Sequence, residues 1–171
     1  MHPSFSKNIR ICFLYAFLFF LAACKIYSFK DVSIPPNIKT IKIGFIENKA
    51  RIVNPQLSPM LTDKIQQKIT NQTRLTRTNS EDAHLQIEGY ISDYSVTTTG
   101  VSAQQEVTNR LTVSLQINLK NTLENSSKDF TITRSFDFSA NLSLDQAQIS
   151  LQEEIVRSLA DDIFNRIFSN W

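Results

Sequence analysis

Few residues in this chain of 171 could carry catalysis. A catalytic triad needs an imidazole base, and His84 is one of only two histidines in the sequence. It follows Glu81 and Asp82, and we expect an exposed histidine beside two acids to have no catalytic role. Three pairs of adjacent acids also occur, but neighbouring residues on a helix point about 100° apart, so the two pairs near the carboxyl end cannot converge on one bond. The acidic pairs are Glu81–Asp82, Glu153–Glu154 and Asp161–Asp162.

Sites for nucleotides and metals are also not predicted. The three glycines, Gly44, Gly89 and Gly100, lie too far apart to form a glycine-rich loop around a phosphate. Two histidines and two cysteines are too few for a zinc finger, and the sequence lacks the alternating acids and central glycine of a calcium loop. We therefore expect no catalytic site, no metal and no cofactor, and we do not expect an enzyme.

One cysteine stands where thiol chemistry is expected. Residues 1–10 carry two cations and no acid, and an apolar run over residues 11–23 ends at Cys24. A basic segment followed by an apolar run shorter than the roughly 20 residues that span a bilayer is typical of a signal peptide. The ending LAAC at residues 21–24 resembles the bacterial lipobox, whose cysteine is diacylated and becomes the first residue after cleavage. We predict a signal peptide over residues 1–23 and lipid attachment at Cys24; the alternative is a signal peptide with an incidental cysteine.

Cleavage before Cys24 changes the net charge of the protein, and with it the partners that the charge predicts. It removes 23 of the 171 residues, including Lys7 and Arg10, so the 18 basic residues fall to 16 and equal the 16 acidic ones. The basic pI of about 8.6 therefore belongs to the signal peptide and predicts no nucleic-acid partner. Stable anchoring in a membrane needs more than one acyl chain, and a diacylated cysteine meets this requirement. We therefore expect a membrane-anchored protein that faces a periplasm.

Residues 24–39 and 40–171 differ in pattern. The first segment contains two adjacent prolines and no clear period, which is typical of an extended tether. The second is predicted to be a single domain that opens with a half-buried strand over 40–46, in which Ile41, Ile43 and Phe45 share one face. Asn54 and Pro55 then predict a helix over 55–72. Its apolar stripe consists of Leu57, Leu61, Ile65 and Ile69.

The hydrophobic period then changes from four to two. Strands are predicted over 74–79, from 84 to about 99, over 108–121 and from 130 to 138, with polar turn residues at 121–129. Short links between alternating strands predict an antiparallel meander with one buried and one solvated face. Ser143 and Gln146 form a capping-box pattern before a long final helix. This order predicts an α+β two-layer sandwich, with two helices on one face of a four- to five-stranded, mostly antiparallel sheet.

Two features of the domain could contact a ligand or a partner. Arg134 shares a strand face with apolar residues, where an arginine could meet a buried acid, mark a sheet edge or bind an anionic headgroup. The apolar band of the last helix rotates around its axis, so the helix end is apolar on more than one side. That end either packs inside the domain or also meets a partner through Phe164, Phe168 and Trp171.

Six short stretches occur in order along the mature chain behind the lipobox. They are Cys24–Phe29, Ser33–Pro36, Asn54–Ser58, Thr73–Leu75, Asn109–Val113 and, at the end, Asp161–Arg166 with Ser169–Trp171. Each stretch has little specificity alone. Together they resemble the LptE family of lipopolysaccharide-assembly lipoproteins, in particular its Bacteroidetes-type members.

The resemblance implies a lipoprotein of two helices and four strands on the periplasmic face of the outer membrane. Such proteins plug the lumen of the large LptD β-barrel, support its assembly and contact lipopolysaccharide as it passes to the outer leaflet. The resemblance assigns no ligand-binding residue, so Arg134 remains the candidate. The alternative function is a periplasm-facing lipoprotein that binds a hydrophobic ligand in an internal apolar cavity or serves as an adaptor for another secretion complex.

Overall fold

The computed structural model describes residues 34–99 and 108–169. They form two helices and six strands within one α+β fold. In chain order the elements are β1 (Thr40–Ile43), β2 (Glu47–Asn48), α1 (Leu57–Gln72), β3 (Thr76–Arg77), β4 (Leu85–Thr99), β5 (Thr108–Asn121), β6 (Ser126–Ser139) and α2 (Leu144–Phe168). The strands form one open sheet in the order β3-β1-β4-β5-β6, and β2 pairs with β4 off this line.

Strand β5 organises the sheet. It pairs antiparallel with β4 on one side and with β6 on the other, as the predicted meander requires. Its odd-numbered residues from Leu111 to Leu119 are buried, whereas the even-numbered residues from Thr112 to Asn118 are only half-buried. A slip of one residue would expose the whole apolar set, so this alternation fixes the register of the three long strands.

A β-bulge at Ser92 keeps β4 in phase with β5. Ile91 lies opposite Leu115 and Asp93 lies opposite Ser114, so Ser92 is one extra residue in β4. Because an extra residue reverses the side-chain alternation, both Ile91 and Tyr94 point to the buried face. Each of the two is at most 1% exposed.

The parallel half of the sheet differs from the prediction. β1 pairs parallel with β3 and β4, and β2 pairs parallel with β4, so only the β4–β5–β6 half is antiparallel. β2 and β3 have two residues each, which is too short for a hydrophobic period to reveal them. The predicted four- to five-stranded, mostly antiparallel sheet is therefore matched only in outline.

The strand predicted over 40–46 ends at Ile43. Beyond it the side-chain phase shifts by one residue, so Phe45 is 58% exposed and Ile46 is fully buried. The Ile46 N–H donates to Thr62 Oγ1 at 3.1 Å, which ties this turn to α1. The prediction that Phe45 shares the core face was wrong, because the contact with α1 turns the next residue inward instead.

Helix α1 begins two residues later than predicted. Asn54 Oδ1 accepts a hydrogen bond from Gln56 N at 3.0 Å and its carbonyl accepts one from Leu57 N at 3.3 Å, so Asn54 starts the turn that leads into the helix. The predicted apolar stripe is confirmed. Its four members are at most 1% exposed: Leu57, Leu61, Ile65 and Ile69.

Helix α2 begins with the predicted capping box. Ser143 Oγ accepts from Gln146 N and Gln146 Oε1 accepts from Ser143 N, so two backbone donors at the helix start are satisfied. Most apolar residues of the helix, among them Ile155, Leu159 and Ile163, are buried in one core with α1 and the buried face of the sheet. The two helices also pack against each other.

The turn between β5 and β6 is shorter than predicted and occupies residues 122–125. Asn121 Oδ1 accepts hydrogen bonds from Leu123 N at 3.1 Å and Glu124 N at 3.3 Å. Asn125 has a φ of 48°, in the left-handed region that asparagine tolerates. The strands therefore extend through much of the segment predicted to be a loop.

Replacing Gly89 by alanine tests the close approach of β4 and β5. An added Cβ would lie 2.6 Å from Ile117 Cδ1 and 2.7 Å from the Gln116 carbonyl oxygen, so backbone must shift. We expect Gly89→Ala to lower the free energy of unfolding by about 1–3 kcal/mol in urea titrations. Gly44→Ala is the control and should lose less, because its nearest contact is 3.2 Å. Unchanged or higher stability of Gly89→Ala would contradict this packing.

Replacing Ser143 by alanine tests the capping box. We expect Ser143→Ala to lower the free energy of unfolding by about 1 kcal/mol, because one helix donor loses its partner. Ser150→Ala makes the same change inside α2, where Ser150 Oγ only donates to the Ala147 carbonyl at 3.0 Å. The control should change stability by less than roughly 0.5 kcal/mol. Equal losses in the two variants would show that the cap contributes nothing of its own.

Candidate functional surfaces

The only histidine of the described residues has a structural contact. His84 Nδ1 accepts a hydrogen bond from Lys39 N at 3.0 Å, and His84 N donates to Thr40 Oγ1 at 3.0 Å. These bonds hold the chain where it enters β1. Neighbouring Glu81 forms an ion pair with Lys42 at 2.6 Å. Over residues 34–99 and 108–169, no group of three or more histidines, cysteines or acids is placed to hold a metal ion.

Arg134 lies on β6, the edge strand of the sheet, and its guanidinium pairs with Asp162 of α2. Its Nη2 donates to Asp162 Oδ1 at 2.6 Å, and Nε donates to the other carboxylate oxygen. The pairing raises the pKa of Arg134, first through the hydrogen bonds and then through the opposite charge. The arginine thus combines two of the predicted alternatives, an acidic partner and an edge position. Its side chain is 51% exposed, so the pair is not buried.

The aromatic end of α2 packs inside the domain. Phe164 and Phe168 are 6% and 3% exposed, and their ring centroids lie 4.9 Å apart. Lys68 of α1 covers the Phe164 ring at 5.0 Å and pairs with Asp161 at 2.7 Å. The predicted partner residue Trp171 and the predicted lipid site Cys24 lie outside the described residues.

The sheet face turned away from the helices is polar, and we call it the open face. Side chains of β5 and β6 join across it in five successive pairs. The pairs are Arg110–Asp137, Thr112–Ser135, Ser114–Thr133, Gln116–Thr131 and Asn118–Asp129, with donor–acceptor distances of 2.7–3.0 Å. Arg110 holds the pKa of Asp137 below its usual range, chiefly by hydrogen bonding. Within residues 34–99 and 108–169 no helix covers this row, so the surface consists of polar side chains bonded to one another.

A groove of about 690 Å³ continues the open face toward β1. Its walls include the aromatic side chains of Phe45 and Tyr90, and Lys49 lies over the Tyr90 ring at 4.8 Å from the centroid. Lys49 also pairs with Glu47 at 3.0 Å. The groove is therefore shallow, mixed in polarity and partly filled by its own charged side chains.

A second cleft, of about 400 Å³, lies beneath the turn between β5 and β6, and we call it the hairpin cleft. Leu119, Phe130 and Ile167 give it apolar walls. Its polar lining residues are Asn121, Glu124, Ser126, Lys128, Asp129 and Arg166.

The hairpin cleft lies at the end of the domain where the chain enters from the amino terminus. His84, whose Nδ1 accepts a hydrogen bond from Lys39 N, also contacts the hairpin turn. Its carbonyl accepts a hydrogen bond from Thr122 N at 2.9 Å. Ile34, the first described residue, packs against the core, and Ile38 N donates to the Pro35 carbonyl at 3.0 Å. The tether and the hairpin turn are thus neighbours. The sequence could not reveal this cleft, because it placed Asn121 and Lys128 in a polar loop.

A third cleft, of about 270 Å³, lies between the exposed sides of α1 and α2 and is lined by Met60, Asp63 and Glu153, among others. Each of the three clefts has charged side chains in its lining. No helix of the described residues is both long and apolar enough to cross a membrane.

Several solved structures are similar to this chain at low sequence identity. A putative neuraminyllactose-binding hemagglutinin homolog from Helicobacter pylori matches with a TM-score of 0.54 at 12% identity, over 76% of this chain and 83% of its own. The hypothetical protein CT253 from Chlamydia trachomatis gives 0.49 at 8% identity, over 77% and 99%. A PelC dodecamer from Paraburkholderia phytofirmans gives 0.48 at 11% identity, over 78% and 88%. The likeness to the Helicobacter pylori protein shows the fold alone.

Sequence comparison is more specific. No curated protein sequence matches this chain. The model of the LptE family, described as lipopolysaccharide-assembly, matches residues 38–167, which includes every strand of the sheet and nearly all of α2. The match covers most of the chain and confirms the resemblance inferred from the short stretches. The chain belongs to the LptE family of lipopolysaccharide-assembly proteins.

Proposed function

We propose that this protein is an outer-membrane lipoprotein that plugs an LptD-type β-barrel, supports its assembly and aids insertion of lipopolysaccharide into the outer leaflet. The family match over residues 38–167 carries the proposal. The protein acts by occupying a place in an assembly, so no catalytic reaction is assigned to it. It would be held on the periplasmic face by acyl groups, palmitate among them, on Cys24.

The open face supports the plug. A protein inside a large barrel meets polar, water-lined walls, because the interior of such barrels is polar. The row of pairs from Arg110–Asp137 to Asn118–Asp129 satisfies its own hydrogen bonds and still presents polar atoms. Such a surface therefore loses little free energy when it faces water or a polar wall.

The alternative of a hydrophobic-ligand carrier is less well supported. It requires an apolar cavity between the sheet and the helices, whereas the three clefts described above carry charged lining residues. The interface between sheet and helices is instead filled by side chains such as Ile91, Leu115 and Leu159, each at most 1% exposed.

The lipid anchor can be tested directly. We expect Cys24→Ser to abolish incorporation of radiolabelled palmitate into the full-length chain and to release the protein from the membrane fraction. The change removes the sulfur that becomes the thioether. Cys12→Ser is the matched control, because it removes the other cysteine and lies in the segment predicted to be cleaved. Palmitate label that persists in Cys24→Ser would refute the predicted attachment site.

The barrel partner can be tested by co-purification from detergent-solubilised membranes. We expect the tagged chain to recover one barrel protein whose gel mobility changes on heating. The proposal fails if the lipoprotein is monodisperse with no barrel partner.

The partner contact predicted at the carboxyl end has its own test. Phe164 and Phe168 are buried, so replacing either would open the core, and the test is made at Trp171. We expect Trp171→Ala to lower barrel recovery by roughly tenfold, the size of an aromatic hot spot. Ile149→Ala is the control, because it removes a 76% exposed apolar side chain near the other end of α2. Equal barrel recovery with Trp171→Ala and with the unmodified protein would contradict this predicted contact.

A further inference from the structure

The hairpin cleft combines apolar and charged groups in a pattern that fits an amphiphile. Leu119, Phe130 and Ile167 form the apolar walls, and the polar residues lie around them. A volume of about 400 Å³ is within the range of small-molecule sites. It could hold the headgroup region and the first part of an acyl chain.

Charges of both signs surround the cleft. Lys128 and Arg166 supply two cations and Glu124 supplies an acid, whereas the Asp129 carboxylate accepts a hydrogen bond from Asn118 on the open face. Among the described residues, none of Glu124, Lys128 and Arg166 takes part in an ion pair. Arg166 stands in the last turn of α2, where the helix dipole favours a cation. A ligand with one positive and one negative group fits this lining better than an ion of either sign.

One polar group of the cleft has an unused donor. Asn121 is 5% exposed, and its Oδ1 caps the hairpin turn through the N–H groups of Leu123 and Glu124. Its Nδ2 is buried and has no hydrogen-bond partner within the described part of the chain. A buried amide donor without a partner costs free energy, which an acceptor supplied by a ligand would recover.

We propose that the hairpin cleft binds one zwitterionic glycerophospholipid with a primary ammonium headgroup, such as phosphatidylethanolamine. The phosphate lies between Lys128 and Arg166, and the ammonium faces Glu124. Asn121 Nδ2 donates to an ester carbonyl, and an acyl chain covers the apolar walls. The inference rests on the proposed lipid anchor, because the anchor brings this end of the domain to a membrane.

The place of the cleft in the fold supports a lipid source in the same leaflet. Ile34 follows Cys24 by ten residues, so a fully extended tether reaches about 30 Å. The tether enters the domain beside the hairpin turn, through Lys39 and His84. Leu123, which is 48% exposed at the tip of that turn, adds an apolar side chain on the same end. The cleft therefore lies on the side of the domain to which the anchor is attached.

The test uses the full lipidated chain in vesicles that contain no barrel. Each vesicle preparation carries one lipid probe with a photoactivatable acyl chain, either phosphatidylethanolamine, phosphatidylglycerol or phosphatidylcholine. After irradiation, labelled peptides are identified by mass spectrometry. We expect phosphatidylethanolamine to label residues 119–130 and 163–169 above the other two probes, because choline cannot donate hydrogen bonds and glycerol has no ammonium.

Three variants make the test specific. Lys128→Glu should lower phosphatidylethanolamine labelling by roughly tenfold, because a charged hydrogen bond to phosphate is lost and a like charge is added. Lys64→Glu makes the same change on the exposed side of α1 and should leave labelling unchanged. Glu124→Lys should reverse the preference from phosphatidylethanolamine to phosphatidylglycerol. Because the reversal compares two probes on the same variant, a loss of folding, which would lower labelling by both probes, cannot produce it.

Equal labelling by all three probes, or equal losses in Lys128→Glu and Lys64→Glu, would overturn the site. Palmitate incorporation at Cys24 and barrel recovery are measured separately. A chain that is acylated and recovers the barrel, yet shows no headgroup preference, refutes the hairpin cleft alone. A chain that prefers phosphatidylethanolamine in the vesicles but recovers no barrel from membranes refutes the plug and leaves the cleft in place.

Discussion

Strand β5 has neighbours on both sides along its 14 residues and can bury only one of its faces. Its five apolar residues from Leu111 to Leu119 are at most 8% exposed, and they need a cover that the sheet cannot supply. The apolar stripes of α1 and α2 provide this cover. Two local features help to keep this face of β5 covered. The bulge at Ser92 keeps the buried residues of β4 in phase with those of β5, and the capping box at Ser143 fixes where α2 begins.

The features that the sequence predicts well are those that repeat over many residues. The alternation of β5, the apolar stripe of α1 and the capping box of α2 are confirmed, because each is a local pattern with one physical reading. The two-residue strands β2 and β3 carry no period, and parallel pairing is decided between distant segments. Phe45 was misplaced for a related reason, since a contact between Ile46 and Thr62 changes the phase.

The candidate sites depend still more on distant contacts. Asp162 lies on α2 and could have been matched with a helix neighbour, whereas the fold pairs it with Arg134 on β6, 28 residues earlier in the chain. The hairpin cleft joins residues of β5, the turn, β6 and α2, and no spacing in the sequence brings them together. The proposed lipobox is different, because it is a short local motif. The attachment at Cys24 could therefore be proposed from sequence alone and stays a prediction, whereas the surfaces of the domain could not be predicted.

The position of Arg134 has a consequence for how the protein behaves among other chains. β6 ends the sheet, and an edge strand of 14 residues could template pairing with a foreign strand. Arg134 of this strand faces the helix side, where it pairs with Asp162. A strand that added itself to β6 would crowd this ion pair and remove part of its hydration, at a cost in free energy. The same pair that joins the sheet to α2 thus opposes edge-to-edge aggregation.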